Sequence, residues 1–404
     1  MSKIQISEIA TEDLENLDFD SMTDEEIQDV IHQLENEATI YDTLQMAEKI
    51  CLNSIYGALA NKHFYFFDLR LAETITLQGQ DAIKFSEKIL NEYFWKAFHK
   101  DTVVLNELKK KCPDVNLSFT KCEKPVVIYM DTDSCYVTFE EPMKACNWTG
   151  SVNDFVLTLN ELRLEQYLNK QFDSYANYYN TDNFLQFELE SIAYNGIWVA
   201  KKKYVQNMSW SDGKVYEYLQ KTKAKGLEIV QSSTPTYCRS ILVELVNWIF
   251  REGKHFAIGD LATTLLDVKK KFMISDIEDI SKNTSIGDYE KYILEDQSHI
   301  EFAPKCPPHI QGAGVHNHLL YKNSELRNTY DVLRSKDKVR WYYTTHPKYD
   351  KFSYARGSYP AEFAPSIDYN TQYETTLLGP LNNIISSMGH SPLTANLNTM
   401  KKLF

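Results

Sequence analysis

Asp131 and Asp133 lie one residue apart in "VVIYMDTDSCYVTF", residues 126–139, between two runs of apolar and β-branched residues. Alternation on both sides predicts two strands joined at Asp131-Thr132-Asp133-Ser134, which brings both carboxylates to one exposed tip. Carboxylate oxygens suit magnesium, and phosphoryl or nucleotidyl transfer uses them to hold two such ions roughly 4 Å apart. Two carboxylates are few for that chemistry. Aspartate also favours turns for conformational reasons alone, so the pair by itself leaves an ordinary Asp-rich hairpin open. Glu188 and Glu190, in "QFELES", would share a face of a predicted strand and flank such metals, or they are simply exposed strand carboxylates.

Two other groupings concern binding. In "KICLNSIYGALAN", 49–61, Lys49, Asn53 and Tyr56 stand at i, i+4 and i+7 and share one helix face. A cation, an amide and an aromatic ring there suit a triphosphate and a base; a solvated lysine beside a half-buried tyrosine is the plainer alternative. In "AKKKYVQN", 200–207, Lys201, Lys202 and Lys203 adjoin Tyr204, and in "KTKAKG", 221–226, Lys221, Lys223 and Lys225 alternate along a predicted strand. Residues 201–226 carry seven lysines and two acids. Such a patch can track a phosphate backbone or be a solvated basic edge. His316 and His318 form the one close histidine pair, without further ligands at metal spacing.

The elements that must position these residues follow from composition and periodicity. The chain has 404 residues, 43% hydrophobic and 13% aromatic, enough for two or three domains with a sizeable core. The net charge of −13 is local: residues 1–50 hold 14 acids and 2 bases, and the rest is near neutral. A basic stripe elsewhere is therefore compatible with a nucleic-acid partner. Seven cysteines without a C-x-x-C pair point to reduced thiols rather than disulfides or structural zinc. No apolar run is long enough to span a membrane, and the acidic N-terminus has no signal core.

"TDEE", 23–26, reads as a capping box opening a long helix that ends near 57–61. Helices are predicted over 70–95, 154–173, much of 235–300 and 377–389, and strands over 184–208 and 214–227. Residues 302–360 look irregular. The fold class is α+β, with strands central and helices at both ends.

In this order the motifs resemble those of the family B DNA polymerases. "KICLNSIYG" resembles the fingers motif K-x-x-x-N-S-x-Y-G, "YMDTDS" the palm motif Y-x-D-T-D-S, and "KKKY" the K-K-x-Y motif. "YGALANKHFYFFDLRLAETIT", "KGLEIVQSSTP" and "PKCPPHIQG" are similar to segments of T-even-type phage replicative polymerases, and the likeness runs from about residue 20 to about 390. Met130 departs from the glycine usual before D-T-D-S. The resemblance implies an incomplete right hand: an acidic lead-in and the second half of helical fingers over 1–60, a palm with a mixed or antiparallel sheet over 61–218, a largely helical thumb over 219–390 and a tail over 391–404.

It also implies roles. Asp133 is the principal ligand of two Mg2+ ions and Asp131 a nearby one; Lys49 meets the triphosphate of a dNTP, and Asn53 and Tyr56 line the nascent base pair. Lys201, Lys202, Lys203, Tyr204 and Lys223 contact primer-template DNA, Lys202 in the minor groove, with Lys305, His309 and Gln311 by the backbone in the thumb. Leu403 and Phe404 end a tail like a sliding-clamp peptide, and the host cytoplasm during infection is the implied location.

An exonuclease domain and a first palm motif precede the fingers in whole family members, and neither is present in the 48 residues before Lys49. "SYP", 358–360, is a decoy, since it follows D-T-D-S. The expectation is a C-terminal subunit of a split DNA polymerase, completed by a chain with the exonuclease and the first palm carboxylate. Two other classes compete: a noncatalytic DNA-binding or assembly protein that keeps the fold, and a one-chain nuclease using Asp131, Asp133, Glu188 and Glu190.

Overall fold

The computed structural model describes residues 21–295, 300–323 and 325–394. They form two compact units: the described residues up to His99 with Lys121–Pro142, and Lys100–Thr120 with the described residues from Met143 onward.

The first unit is a helical hairpin carrying a strand pair. Helix α1 (Asp24–Leu59) opens on the capping box: Thr23 Oγ1 accepts from the Glu26 N–H at 3.3 Å, and Glu26 Oε2 accepts from the Thr23 N–H at 2.9 Å. Of its 36 described residues, only Val30 is buried. After the aromatic connector Phe64–Phe67, Asp68 caps helix α2 (Leu69–Lys96) by accepting from the N–H groups of Arg70 and Leu71. The second half of α2 builds the unit's core, where Ile89, Leu90, Tyr93, Phe94 and nearby Phe98 are buried. Strands β1 (Val127–Asp131) and β2 (Ser134–Val137) pair antiparallel against it. Buried Asn91 on α2 accepts from the N–H groups of Val126 and Val127 at 2.8 and 3.3 Å. That side chain fixes where β1 begins, and so where it delivers Asp131.

The second unit contains α3 (Thr102–Lys111), α4 (Glu140–Ala145, its first residues in the first unit), α5 (Val152–Leu159) and α6 (Glu165–Tyr178). A π turn at Asn160–Leu164 interrupts the helix expected over 154–173. Next come β3 (Ser191–Ala200), β4 (Lys203–Ser211), β5 (Lys214–Val215) and β6 (Thr222–Lys225), with β4 paired to all three others. Asn153 and Ser209 exchange hydrogen bonds of 2.6 and 3.2 Å in the interior and tie α5 to β4. Every described strand pairing is antiparallel.

Helices α7 (Thr236–Glu252) and α8 (Ile258–Phe272) pack Leu242, Leu245, Val246, Leu261 and Leu265 into the main core. The helix expected over 235–300 does not continue: α9 (Ile277–Ile280), β7 (Lys282–Ser285), α10 (Tyr289–Tyr292) and β8 (Ile293–Glu295) follow. Nor are 302–360 irregular. After β9 (Ile300–Phe302) they contain α11 (Pro308–Tyr321), β10 (Lys338–Tyr343) and β11 (Lys351–Ala355). Two glycines in "IQGAGV" hide α11 from a propensity reading, yet packing requires them. A Cβ on Gly312 would sit 2.5 Å from Ser353 Oγ and 2.7 Å from its backbone nitrogen. Helices α12 (Tyr369–Tyr373) and α13 (Gly379–Ser387) are joined by a second π turn, Glu374–Leu378, closed by the Gly379 N–H to the Glu374 carbonyl. Pro380 supplies no N–H to the next turn, which is where such a bulge belongs. No helix among the described residues is long and apolar enough to cross a membrane.

Candidate active site

The aspartate pair sits at the end of β1, where the register closes Asp131 against Ser134 and leaves Thr132 and Asp133 as a two-residue turn. The Asp133 N–H donates to the Asp131 carbonyl at 2.7 Å, across Thr132 at φ 60°. A β-branched residue seldom adopts that left-handed conformation, and such strain is found where function fixes the backbone. The two acids on either side of Thr132 differ in burial. Asp131 is 6% exposed; its carboxylate accepts from Thr132 Oγ1 at 3.2 Å, and its carbonyl accepts from Ser134 Oγ at 3.1 Å. Asp133 is exposed, and its carboxylate has no ion pair or hydrogen bond among the described residues.

Two hard carboxylates on one turn fit magnesium, which needs only one or two protein oxygens and keeps water for the rest. Among the described residues, no group of three or more His, Cys, Asp or Glu side chains is placed to hold a metal. Burial, reinforced by Glu87, pushes the neighbouring Cys135 thiol up to about 12, so it is no thiolate ligand at neutral pH.

Glu188 and Glu190 are not on a strand, because β3 starts only at Ser191. Glu188 lines a cavity of about 330 Å³ with Glu161, Glu165 and Trp210. Glu190 pairs with Lys223, Oε1 to Nζ 3.2 Å. Period-two alternation continues into a segment without strand pairing, which sequence alone does not distinguish from a strand.

Lys49, Asn53 and Tyr56 are exposed along one face of α1. Tyr56 OH and Thr76 Oγ1 lie 2.6 Å apart, which tethers α1 to α2 at the end of that row. Sequence reasoning misses Thr76, because nothing in "AETITL" marks the hydroxyl that faces α1.

In the second unit, Lys201 and Lys202 form the β3–β4 turn, with Lys202 at φ 62°, and both are exposed. Lys203 is half-buried. Lys223 and Lys225 are exposed on β6 and alternate with half-buried Thr222 and Ala224, as expected. Lys221 precedes the strand and donates to Tyr216 OH at 2.8 Å. The Tyr204 ring is 3% exposed and stacks on Trp198, so it supports the sheet from within instead of presenting a face to a ligand.

Lys305 is exposed before α11, and burial holds the half-buried His309 below the usual histidine pKa. Gln311 is engaged locally, donating to the Cys306 carbonyl at 2.8 Å. His316 and His318 are buried in α11, His316 lowered by burial to about 4, so neither meets a phosphate. Leu403 and Phe404 lie outside the described residues.

The model of DNA polymerase family B matches residues 25–388. The chain belongs to DNA polymerase family B. It is 27% identical over 309 residues to the DNA-directed DNA polymerase of Enterobacteria phage T4, covering 73% of this chain and 31% of that one. It is 29% identical over 295 residues to the DNA-directed DNA polymerase of Escherichia phage RB69, covering 70% and 29%. A DNA polymerase of Fowlpox virus is 30% identical over 112 residues, covering 25% and 11%. The chain thus spans about three tenths of the length of the two phage relatives.

Within this family B chain, Met130 lies directly opposite Cys135 in the strand pair, before the turn begins. Its side chain adds bulk beside the tip and leaves the backbone of the turn closed.

Proposed function

We propose that this chain provides part of a DNA-directed DNA polymerase active site and catalyses template-directed nucleotidyl transfer once completed by further polypeptide. The observation that carries this reading is the strained turn, which buries Asp131 and leaves Asp133 exposed without a partner among the described residues. Asp133, with Asp131 beside it, would hold Mg2+, which when bound lowers the pKa of the attacking hydroxyl and neutralises phosphate charge. The primer 3′-hydroxyl attacks the α-phosphate of a dNTP, and pyrophosphate leaves. Lys49 meets the triphosphate, while Asn53 and Tyr56 line the nascent base pair. Lys201, Lys202, Lys203 and Lys223 bind the primer-template duplex, with Tyr204 holding their sheet, and Lys305 and His309 follow its backbone. The protein's part is mainly to position groups and neutralise charge.

The completing polypeptide carries the exonuclease and the first palm carboxylate and packs on the first unit. The apolar surface of the first unit supports this. Leu52, Tyr65 and Phe66 are 69%, 91% and 68% exposed, within a run of exposed apolar side chains from Ile40 to Leu77. Large apolar side chains exposed at this density mark an interaction surface. Primer extension by the 404-residue chain, alone and mixed with such a partner, tests the proposal. Extension is expected only in the mixture. Strong extension by the chain alone overturns the partner requirement, and duplex binding without extension in the mixture supports a noncatalytic DNA-binding role instead.

A further inference from the structure

The Lys201–Lys202 turn is poorly specified by its own sequence. Two-residue hairpin turns favour Asn-Gly, Asp-Gly or a leading glycine, because they require left-handed backbone. Here two lysines occupy the turn closed by Ala200 and Lys203, and Lys202 is held at φ 62°. What holds it lies across the sheet. Strand β6 pairs with β4 up to Tyr204–Lys225, and the chain then turns away at Gly226, φ 69°. A Cβ on Gly226 would stand 2.1 Å from the Lys202 carbonyl oxygen and 3.1 Å from its carbon. Those are backbone atoms and have no flexible end to yield. Gln231 Nε2 donates to the Gly226 carbonyl at 3.1 Å and fixes the glycine from its other side.

We propose that Gly226 is a positioning residue for the cationic turn: its missing side chain lets the Lys202 backbone seat against the end of β6. The seat holds two left-handed residues against each other. It joins the exposed Lys201 and Lys202 to Lys223 and Lys225 as one surface of fixed spacing. This rests on the duplex-binding reading of that surface.

The test is duplex affinity of the full chain for a primer-template, measured across a salt series. The control is Gly213, in the β4–β5 turn, which has φ 77° and open space for 4 Å around the place a Cβ would take. Gly213→Ala carries the left-handed strain without the collision and should keep affinity within about twofold. Gly226→Ala should weaken binding about tenfold and reduce the salt slope by roughly 1–2, the counterions of the lost phosphate contacts. A merely destabilised protein would lose active fraction and keep its slope. In a Lys201→Ala/Lys202→Ala background, adding Gly226→Ala should change affinity less than about twofold, since its effect runs through that turn. Should Gly226→Ala not fold, Gln231→Ala removes only the anchoring hydrogen bond, and about threefold weaker binding is expected. Gly226→Ala, or in its place Gln231→Ala, binding as Gly213→Ala does overturns the role of Gly226 alone. No duplex binding by the wild-type chain overturns the duplex reading and this proposal with it.

Discussion

Helices α1 and α7 are both long and both apolar at helical spacing, yet α7 buries seven of 17 residues and α1 one of 36. In α7 the stripe meets α8, the sheet and the terminal helices in a single core. In α1 the stripe through Ile40, Tyr41, Leu44 and Ile55 is exposed. Periodicity says which face must be covered and is silent on what covers it. On the proposed roles, the difference also divides the work. Lys49, Asn53 and Tyr56 ride on a helix not committed to a core, whereas the lysine surface is built on strands committed to one.

The largest effect expected from this division is chemical and leaves stability untouched. Asp133→Ala in the completed enzyme should lower primer extension by about 10³ or more, roughly 4 kcal/mol of lost transition-state stabilisation. Because Asp133 is exposed, the thermal midpoint and the duplex affinity should hardly move. Near-normal turnover would remove Asp133 from the metal site.

The next effect is structural and leaves chemistry aside. Leu242→Ala, at a fully buried position of α7, should cost about 2–5 kcal/mol in denaturant unfolding. Leu44→Ala, at a position of α1 that is 54% exposed, should fall within about 0.5 kcal/mol in the isolated chain. Equal costs would erase the contrast between the helices. A loss of partner affinity in Leu44→Ala alone would sharpen it, by showing what covers the stripe.

Smaller again is Lys49→Ala, expected to raise the dNTP KM about tenfold with kcat less affected, as for a lost uniform binding contact. An unchanged KM would take the triphosphate role from the exposed face of α1.

How much of this is legible in the sequence depends on whether a signal is local. The Thr23–Glu26 box, both long helices of the first unit and the Asp131–Ser134 hairpin are read from neighbouring residues, and each has its expected element. Helix α11 escapes such a reading because Gly312 and Gly314 serve close packing against β11 and the β8–β9 pair, a tertiary demand opposed to helix propensity. Asn91 holds the start of β1 from 35 residues away, and Tyr204 turns inward onto Trp198 although three lysines precede it. Neither partner is visible in spacing. The unequal burial of Asp131 and Asp133 is likewise invisible, since two identical residues one apart carry no signal of which one packs inward.

The smallest effect concerns the committed surface itself. Glu190 and Lys223 pair at 3.2 Å with side chains 73% and 43% exposed, and an exposed pair of this kind contributes about 0–1 kcal/mol. On the proposed duplex-binding role of Lys223, Glu190 partly neutralises that lysine in the free protein, and a bound phosphate would displace the carboxylate. Glu190→Gln keeps the shape and removes the competing charge. It should tighten duplex binding about two- to threefold at low salt and steepen the salt slope by up to about 0.9, the contribution of one more phosphate contact. The gain should vanish in Lys223→Ala, where there is no charge to release. Weaker binding by Glu190→Gln would reverse the assignment: the carboxylate would then hold the lysine in place, as Gly226 is proposed to hold the Lys202 turn, and the whole lysine surface would depend on its supports more than on its charges.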